Sequence, residues 1–125
     1  MPHKVLIADD EPNIVLSLEF LLASHDYEVA IARDGHEVLR LAAAFMPHLI
    51  LLDVMMPLVN GFDVCRALRA DPLQRNVKIL MLTARGRESE VRRGLSMGAD
   101  AYVTKPFATR DLVAKVRELL RDIGA

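Results

Sequence analysis

Residues 48–61, HLILLDVMMPLVNG, decide the fold. Leu49, Ile50, Leu51 and Leu52 form an unbroken apolar run of strand length. A strand with one wet face alternates apolar and polar residues, so a run without alternation suits a strand covered on both faces, as in a parallel sheet. The run stops at one carboxylate, Asp53, and after Met55, Met56 and Pro57 the pair Asn60-Gly61 reads as a turn into a helix. Open α/β sheets bind their ligands at the carboxyl ends of their strands. Asp53 stands at such an end. Alone, it could equally be a residue that ends a strand and caps a turn, so its meaning depends on the ends of the other strands.

Outward from this stretch the chain alternates. Lys4–Ala8 reads as a buried strand that runs into Asp9, Asp10, Glu11 and Pro12, with Pro12 suited to the first turn of a helix. Apolar residues at helical spacing follow from Ile14 to Ala23, with Leu18, Leu21 and Leu22 on one face. Glu28–Ala32 is a second strand. Asp34 and Glu37 resemble a capping box for a helix carrying Val38, Leu41, Ala42 and Phe45, which Pro47 ends. Beyond Asp53, Gly61–Ala70 is a third helix with Phe62, Cys65 and Leu68 inward. Val77–Thr83 is a fourth strand. A fourth helix begins near Ser89, buries Val91 and Leu95, and is stopped by Gly98. Ala101–Thr104 is a fifth strand, leading to Lys105, Pro106 and Phe107. The last helix has Thr109 as its cap and Leu112, Val116, Leu119, Leu120 and Ile123 as its buried stripe.

Composition sets the outer limits. A chain of 125 residues, 52% apolar, is enough for one globular domain with a sizeable core. No repeat, low-complexity tract or linker divides it, so residues 1–125 read as one domain with its core at about 4–123. With 16 basic and 17 acidic residues there is no bulk charge to bind nucleic acid directly. Cys65 is alone, which excludes an internal disulfide. The apolar runs are too short to span a membrane, and the amino terminus lacks a signal-peptide pattern. The expectation is a cytoplasmic protein with no membrane attachment.

Strand and helix alternate five times over short connections. This predicts an α/β fold of the flavodoxin-like, doubly wound kind: a five-stranded parallel sheet, order 2-1-3-4-5, with five helices on its two faces. The ends of strands one, three, four and five then share one edge, which brings Asp9, Asp10, Asp53, Thr83 and Lys105 to one cleft. Three close carboxylates repel one another unless a cation joins them. The ligands on offer are oxygens, which suits Mg²⁺ rather than zinc. An aspartate can act as nucleophile toward phosphorus, with Lys105 as a positive charge and Thr83 as a neutral donor for the transferred group. The site reads as a Mg²⁺-dependent phosphoryl acceptor.

These residues carry a resemblance. Asp9-Asp10, Asp53 followed by Met-Met-Pro, Asn60-Gly61, Thr83-Ala84, Gly98-Ala99-Asp100-Ala101-Tyr102 and Lys105-Pro106-Phe107, in this order, resemble the receiver domain of bacterial two-component response regulators over about Lys4 to Ile123. The resemblance implies a phosphoprotein of a phosphorelay rather than an enzyme with a separate substrate. A histidine kinase or phosphotransfer protein would supply the phosphoryl group and Asp53 would accept it. Asp10, Asp53 and the Met55 backbone carbonyl would hold Mg²⁺ directly, and Asp9 would hold it through water. Thr83, Ala84 and Lys105 would contact the phosphoryl oxygens. Thr83 and Tyr102 would form the switch, and the Lys105–Pro106 bond would be cis. Output would pass through the face of the fourth helix, fifth strand and last helix, which carries Arg92 or Arg93, Asp100, Arg110, Asp111 and Lys115. A homodimer through that face would pair Asp100 with Lys115.

The chain departs from the family pattern at Leu58 and Val59, where a polar residue and Met are common; these two read as packing down beside the site, with a docking contact as the alternative. Cys65 reads as an inert core residue. His3, His25, His36 and His48 lack metal-ligand spacing and read as solvated. Arg85, Arg87, Arg92 and Arg93 read as a solvated face, with partner binding as the rival. Two other functions are weighed. A dehalogenase-like phosphatase would need Asp-x-Asp after the first strand, which Asp9-Asp10-Glu11 does not offer. A flavin or nucleotide carrier would need a phosphate-binding loop where the chain is acidic.

Overall fold

A computed structural model of the protein describes residues 3–84 and 88–121. The elements are β1 (Lys4–Ala8), α1 (Pro12–Ser24), β2 (Glu28–Ala32), α2 (Gly35–Phe45), β3 (Leu49–Asp53), α3 (Gly61–Ala70), β4 (Lys78–Ala84), α4 (Glu88–Ser96), β5 (Ala101–Lys105) and α5 (Thr109–Arg121). The five strands form one parallel sheet in the order β2-β1-β3-β4-β5. This is the flavodoxin-like arrangement expected.

β3 is buried at every position, and its side chains alternate between two cores. Ile50 and Leu52 join α2 and α3 through Val38, Ala42, Cys65 and Leu68. Leu49 and Leu51 join α1 and α5 through Leu18, Leu22, Leu112 and Val116. Both faces are covered by apolar side chains, which is why the strand needs no polar alternation. Helix starts follow local chemistry. The Asp34 carboxylate accepts from the Glu37 N–H, and Asn60 Oδ1 accepts from the Asp63 N–H. Glu37 reaches back as a capping box does, but to the N–H of Arg33. Pro12 opens α1, and Gly98, at φ +111°, follows α4.

Several expectations are corrected. β4 runs one residue later than expected and β5 includes Lys105. Thr109 is the first helical residue of α5 rather than its cap, since the Leu112 N–H bonds to the Ala108 carbonyl. Leu95 is 42% exposed, not buried. α4 instead lays Gly94 on the sheet, so close to the Met81 sulfur that a side chain at position 94 would have to push that methionine aside. Leu58 is exposed and does not pack down, whereas Val59 does. His48 is not simply solvated: its Nδ1 accepts from the Lys4 N–H at 2.9 Å, tying β1 to β3. Arg85, Arg87 and Ile123 lie outside the described residues. Among the described residues no helix is long and apolar enough to cross a membrane.

Candidate functional site

Register assembles the cleft. Ala8 pairs with Leu52, so Asp9 leaves β1 level with Asp53 at the end of β3. Asp53 pairs with Leu82, which puts Thr83 one step further along β4, and Ala84 pairs with Lys105 on β5. The result is a cleft of about 290 Å³ whose lining includes Asp10, Asp53, Met55, Thr83, Ala84 and Lys105.

Asp9 is fully buried. Its N–H bonds to the Ala32 carbonyl, and its Oδ1 accepts from the Glu11 N–H at 2.9 Å, which fixes the carboxylate. Its Oδ2 lies 2.9 Å from the Lys105 ammonium, a close approach of charges without the alignment of a hydrogen bond. The same ammonium is 3.1 Å from Glu11 Oε1 and 3.5 Å from Asp53 Oδ2. Asp53 Oδ1 accepts from the Met55 N–H at 3.1 Å. Asp10 is exposed at the mouth. The Thr83 hydroxyl is buried and has no hydrogen-bond partner among the described residues.

The charges follow from this geometry. Burial pushes the Asp53 carboxyl up from its ordinary value, and the negative charges of Asp9 and Asp10 push the same way. The Met55 N–H and the Lys105 ammonium pull against them and do not win. For Lys105, burial works to lower the pKa, but its contacts with Asp9, Glu11 and Asp53 together raise it above the ordinary lysine value. At neutral pH one ammonium faces several carboxylates, and the surplus is negative.

That surplus suits a divalent cation. One oxygen from each of Asp9, Asp10 and Asp53 lies within 4.8 Å of the others. The donors are all oxygen, as a hard cation requires. The residues present therefore fit Mg²⁺.

Most of the residues expected at the site are brought together: Asp9, Asp10, Asp53, Met55, Thr83, Ala84 and Lys105. Tyr102 is not among them. It stands 45% exposed in a groove with Leu95, Asp100, Ala101 and Lys115, between α4 and α5. Arg110 lies elsewhere than expected, lining the opposite groove between α1 and α5 with Leu21, His25 and Arg117. Asp100 is already engaged within the chain, by Arg69 at 2.9 Å and by the Ile79 N–H at 2.8 Å. Cys65 is buried, and burial raises its thiol pKa, in keeping with an inert role. Two acids were missed. Glu11 bonds Lys105 and Glu90 lines the cleft, yet the sequence marked neither as a site residue.

Comparison with known proteins places this fold and cleft in a class of signalling domains. Residues 5–117 match the response regulator receiver domain family, and the chain belongs to that family. The alkaline phosphatase synthesis transcriptional regulatory protein PhoP of Bacillus subtilis is 45% identical over 121 residues, 97% of this chain and 50% of that protein. The DNA-binding response regulator MtrA of Mycolicibacterium smegmatis is 43% identical over 121 residues, 97% of this chain and 52% of its own. The chain thus spans about half the length of these relatives. A putative response regulator from Chloroflexus aurantiacus superposes with a TM-score of 0.93 at 36% identity, covering 97% of this chain and 99% of that one. Phosphorylation and Mg²⁺ binding are general features of this signalling family.

Proposed function

We propose that Asp53 takes a phosphoryl group from the phosphohistidine of a kinase or phosphotransfer protein. One Asp53 oxygen attacks phosphorus; the phosphorus–nitrogen bond breaks as the phosphorus–oxygen bond forms. The departing imidazole, protonated on its other nitrogen, keeps the bonding electrons and leaves neutral. Lys105, Thr83 and the Ala84 end of β4 meet the phosphoryl oxygens. Asp10, Asp53 and the Met55 carbonyl would hold Mg²⁺, with Asp9 acting through water, and the ion would supply positive charge to offset that of the transferred group. Slow hydrolysis by water returns the carboxylate and phosphate. Nothing else is turned over, so the domain is a signal carrier rather than an enzyme.

One observation carries this reading. A buried hydroxyl with no partner among the described residues and a shared ammonium flank a carboxylate whose negative surroundings call for a cation. A flavin would bring its own phosphate to this acidic cleft, which repels it. The test is labelling by acetyl phosphate with and without Mg²⁺. The parent labels only with the ion; Asp53→Asn does not label. Equal labelling of the two would remove Asp53 as acceptor.

The switch belongs to the same proposal. Phosphorylation draws the Thr83 hydroxyl toward the new oxygens, and the exposed Tyr102 ring turns into the space behind it. The face formed by α4, β5 and α5 then changes shape and passes the signal to an output domain or to a second copy. Asp100 is held by Arg69 within the chain, so it would have to exchange that partner to meet Lys115 of a second copy. Sedimentation with beryllofluoride and Mg²⁺ tests the dimer, and an unchanged tyrosine NMR signal would remove the switch. Residues 1–125 act as one receiver in the cytoplasm, where the kinase would transfer its phosphoryl group, and this segment binds no nucleic acid directly.

A further inference from the structure

The loop from β3 to α3 closes on itself, since the Gly61 N–H bonds to the Val54 carbonyl at 3.0 Å. At its tip the Pro57 carbonyl accepts twice: from the Val59 N–H at 2.9 Å and from the Gly35 N–H, at the start of α2, at 3.3 Å. Leu58 lies between Pro57 and Val59 with φ at +71°. A three-residue turn of positive φ is the strained form of the γ-turn. Glycine or asparagine enters that region far more readily than leucine. The leucine side chain is also 75% exposed. Neither backbone preference nor burial accounts for Leu58; asparagine would serve the fold better on both counts. Val59, by contrast, packs so tightly against Gly35 that a side chain at position 35 would collide with it. The turn is held in place, and it holds a leucine outward.

What faces Leu58 follows from the chemistry of Asp53. We infer that Leu58 is an apolar anchor for the protein that delivers the phosphoryl group, seated in an apolar notch beside the donor histidine. The inference rests on the phosphoacceptor reading of Asp53. A phosphohistidine can reach Asp53 only if its protein covers the rim of this cleft, where Met55 is itself 62% exposed. Even a transient interface burying about 1,000 Å² in total covers a disc roughly 13 Å in radius on each partner. A loop of this length with touching ends extends about 12 Å at most. Leu58 therefore falls beneath any partner docked for transfer. Leu73, 76% exposed, precedes β4 at the other end of the strands and lies outside that disc.

The experiment compares the parent with Leu58→Asn, Leu58→Met and Leu73→Asn, using two donors in the presence of Mg²⁺. One donor is acetyl phosphate. The other is whichever autophosphorylated histidine-kinase core of the source organism labels the parent fastest. Leu58→Asn is expected to lose about 10- to 100-fold in kcat/KM with the kinase core, the worth of one buried leucine. It should stay within about twofold of the parent with acetyl phosphate and melt no lower, since asparagine tolerates the turn. Leu58→Met should keep most of the kinase rate, and Leu73→Asn all of it. Leu58→Asn labelled by the kinase core at the parent's rate overturns the anchor, as does an equal loss with both donors, which would make Leu58 part of the site's shape. A parent labelled by acetyl phosphate but by no kinase core overturns the partner; a parent labelled by neither sinks the acceptor reading first.

Discussion

Replacing Lys105 by methionine keeps most of the side chain's length and removes its charge. The ammonium lies 2.9 Å from Asp9, 3.1 Å from Glu11 and 3.5 Å from Asp53. Glu11 can turn to water, but Asp9 and Asp53 are buried and lose their only nearby cation among the described residues. Removing one partner of a buried ion pair costs about 3–5 kcal/mol. The cleft is open on one side, which places the expected loss at the lower end, about 3 kcal/mol. With an unfolding entropy of about 2.1 cal/mol/K per residue over 125 residues, the melting temperature should fall by about 11 °C. The assay is thermal unfolding by circular dichroism in EDTA at pH 7. That pH lies far below the raised pKa of Lys105, so its contribution is fully present in the parent and is lost only as alkali carries the pH through the folded-state value. Saturating Mg²⁺ should narrow the gap by supplying positive charge to the same carboxylates. A loss under about 1 kcal/mol in EDTA would refute the claim that one ammonium holds the acidic cluster together.

Three further outcomes follow from the same geometry. In EDTA, Asp53→Asn should melt above the parent at pH 7: with its folded pKa raised, Asp53 favours folding most in its protonated form, an advantage lost as pH rises, so the gap should close on acidification below the ordinary 3.8; a gap independent of pH contradicts this. Mg²⁺ at about 100 times its Kd should stabilise the parent by about 2.7 kcal/mol and leave Asp10→Ala nearly unmoved in calorimetry; equal shifts would remove Asp10 as a ligand. Arg69→Ala removes donors to the carbonyls of Gly98, Arg75 and Val77 and to Asp100, and should cost about 3 kcal/mol in urea unfolding, with Arg69→Lys recovering less than half.

Residues differ in how far their place could be read from the chain. The apolar run Leu49–Leu52 and the polar residues closing each strand were legible because strand order and register alone carry them to one edge. Helical phase was legible where a helix is long and rich in apolar residues, as in α5. It failed in α4, a short helix whose orientation is set by Gly94 against Met81, a contact no periodicity announces. His48 was read as solvated, and nothing in the sequence singled out Arg69. Their partners lie 44 and 29–31 residues away for the key contacts, and only the folded chain brings them together. Leu58 was visible as an oddity, but its positive φ was not.

The bond between Lys105 and Glu11 spans 94 positions of sequence. A chain still being synthesised makes the acidic residues of β1 and β3 long before it makes their counter-charge on β5. Until that strand docks, the carboxylates repel one another with nothing to hold them. A chain cut short before β5 would therefore carry the acidic cluster of Asp9, Asp10 and Asp53 without the ammonium that offsets it.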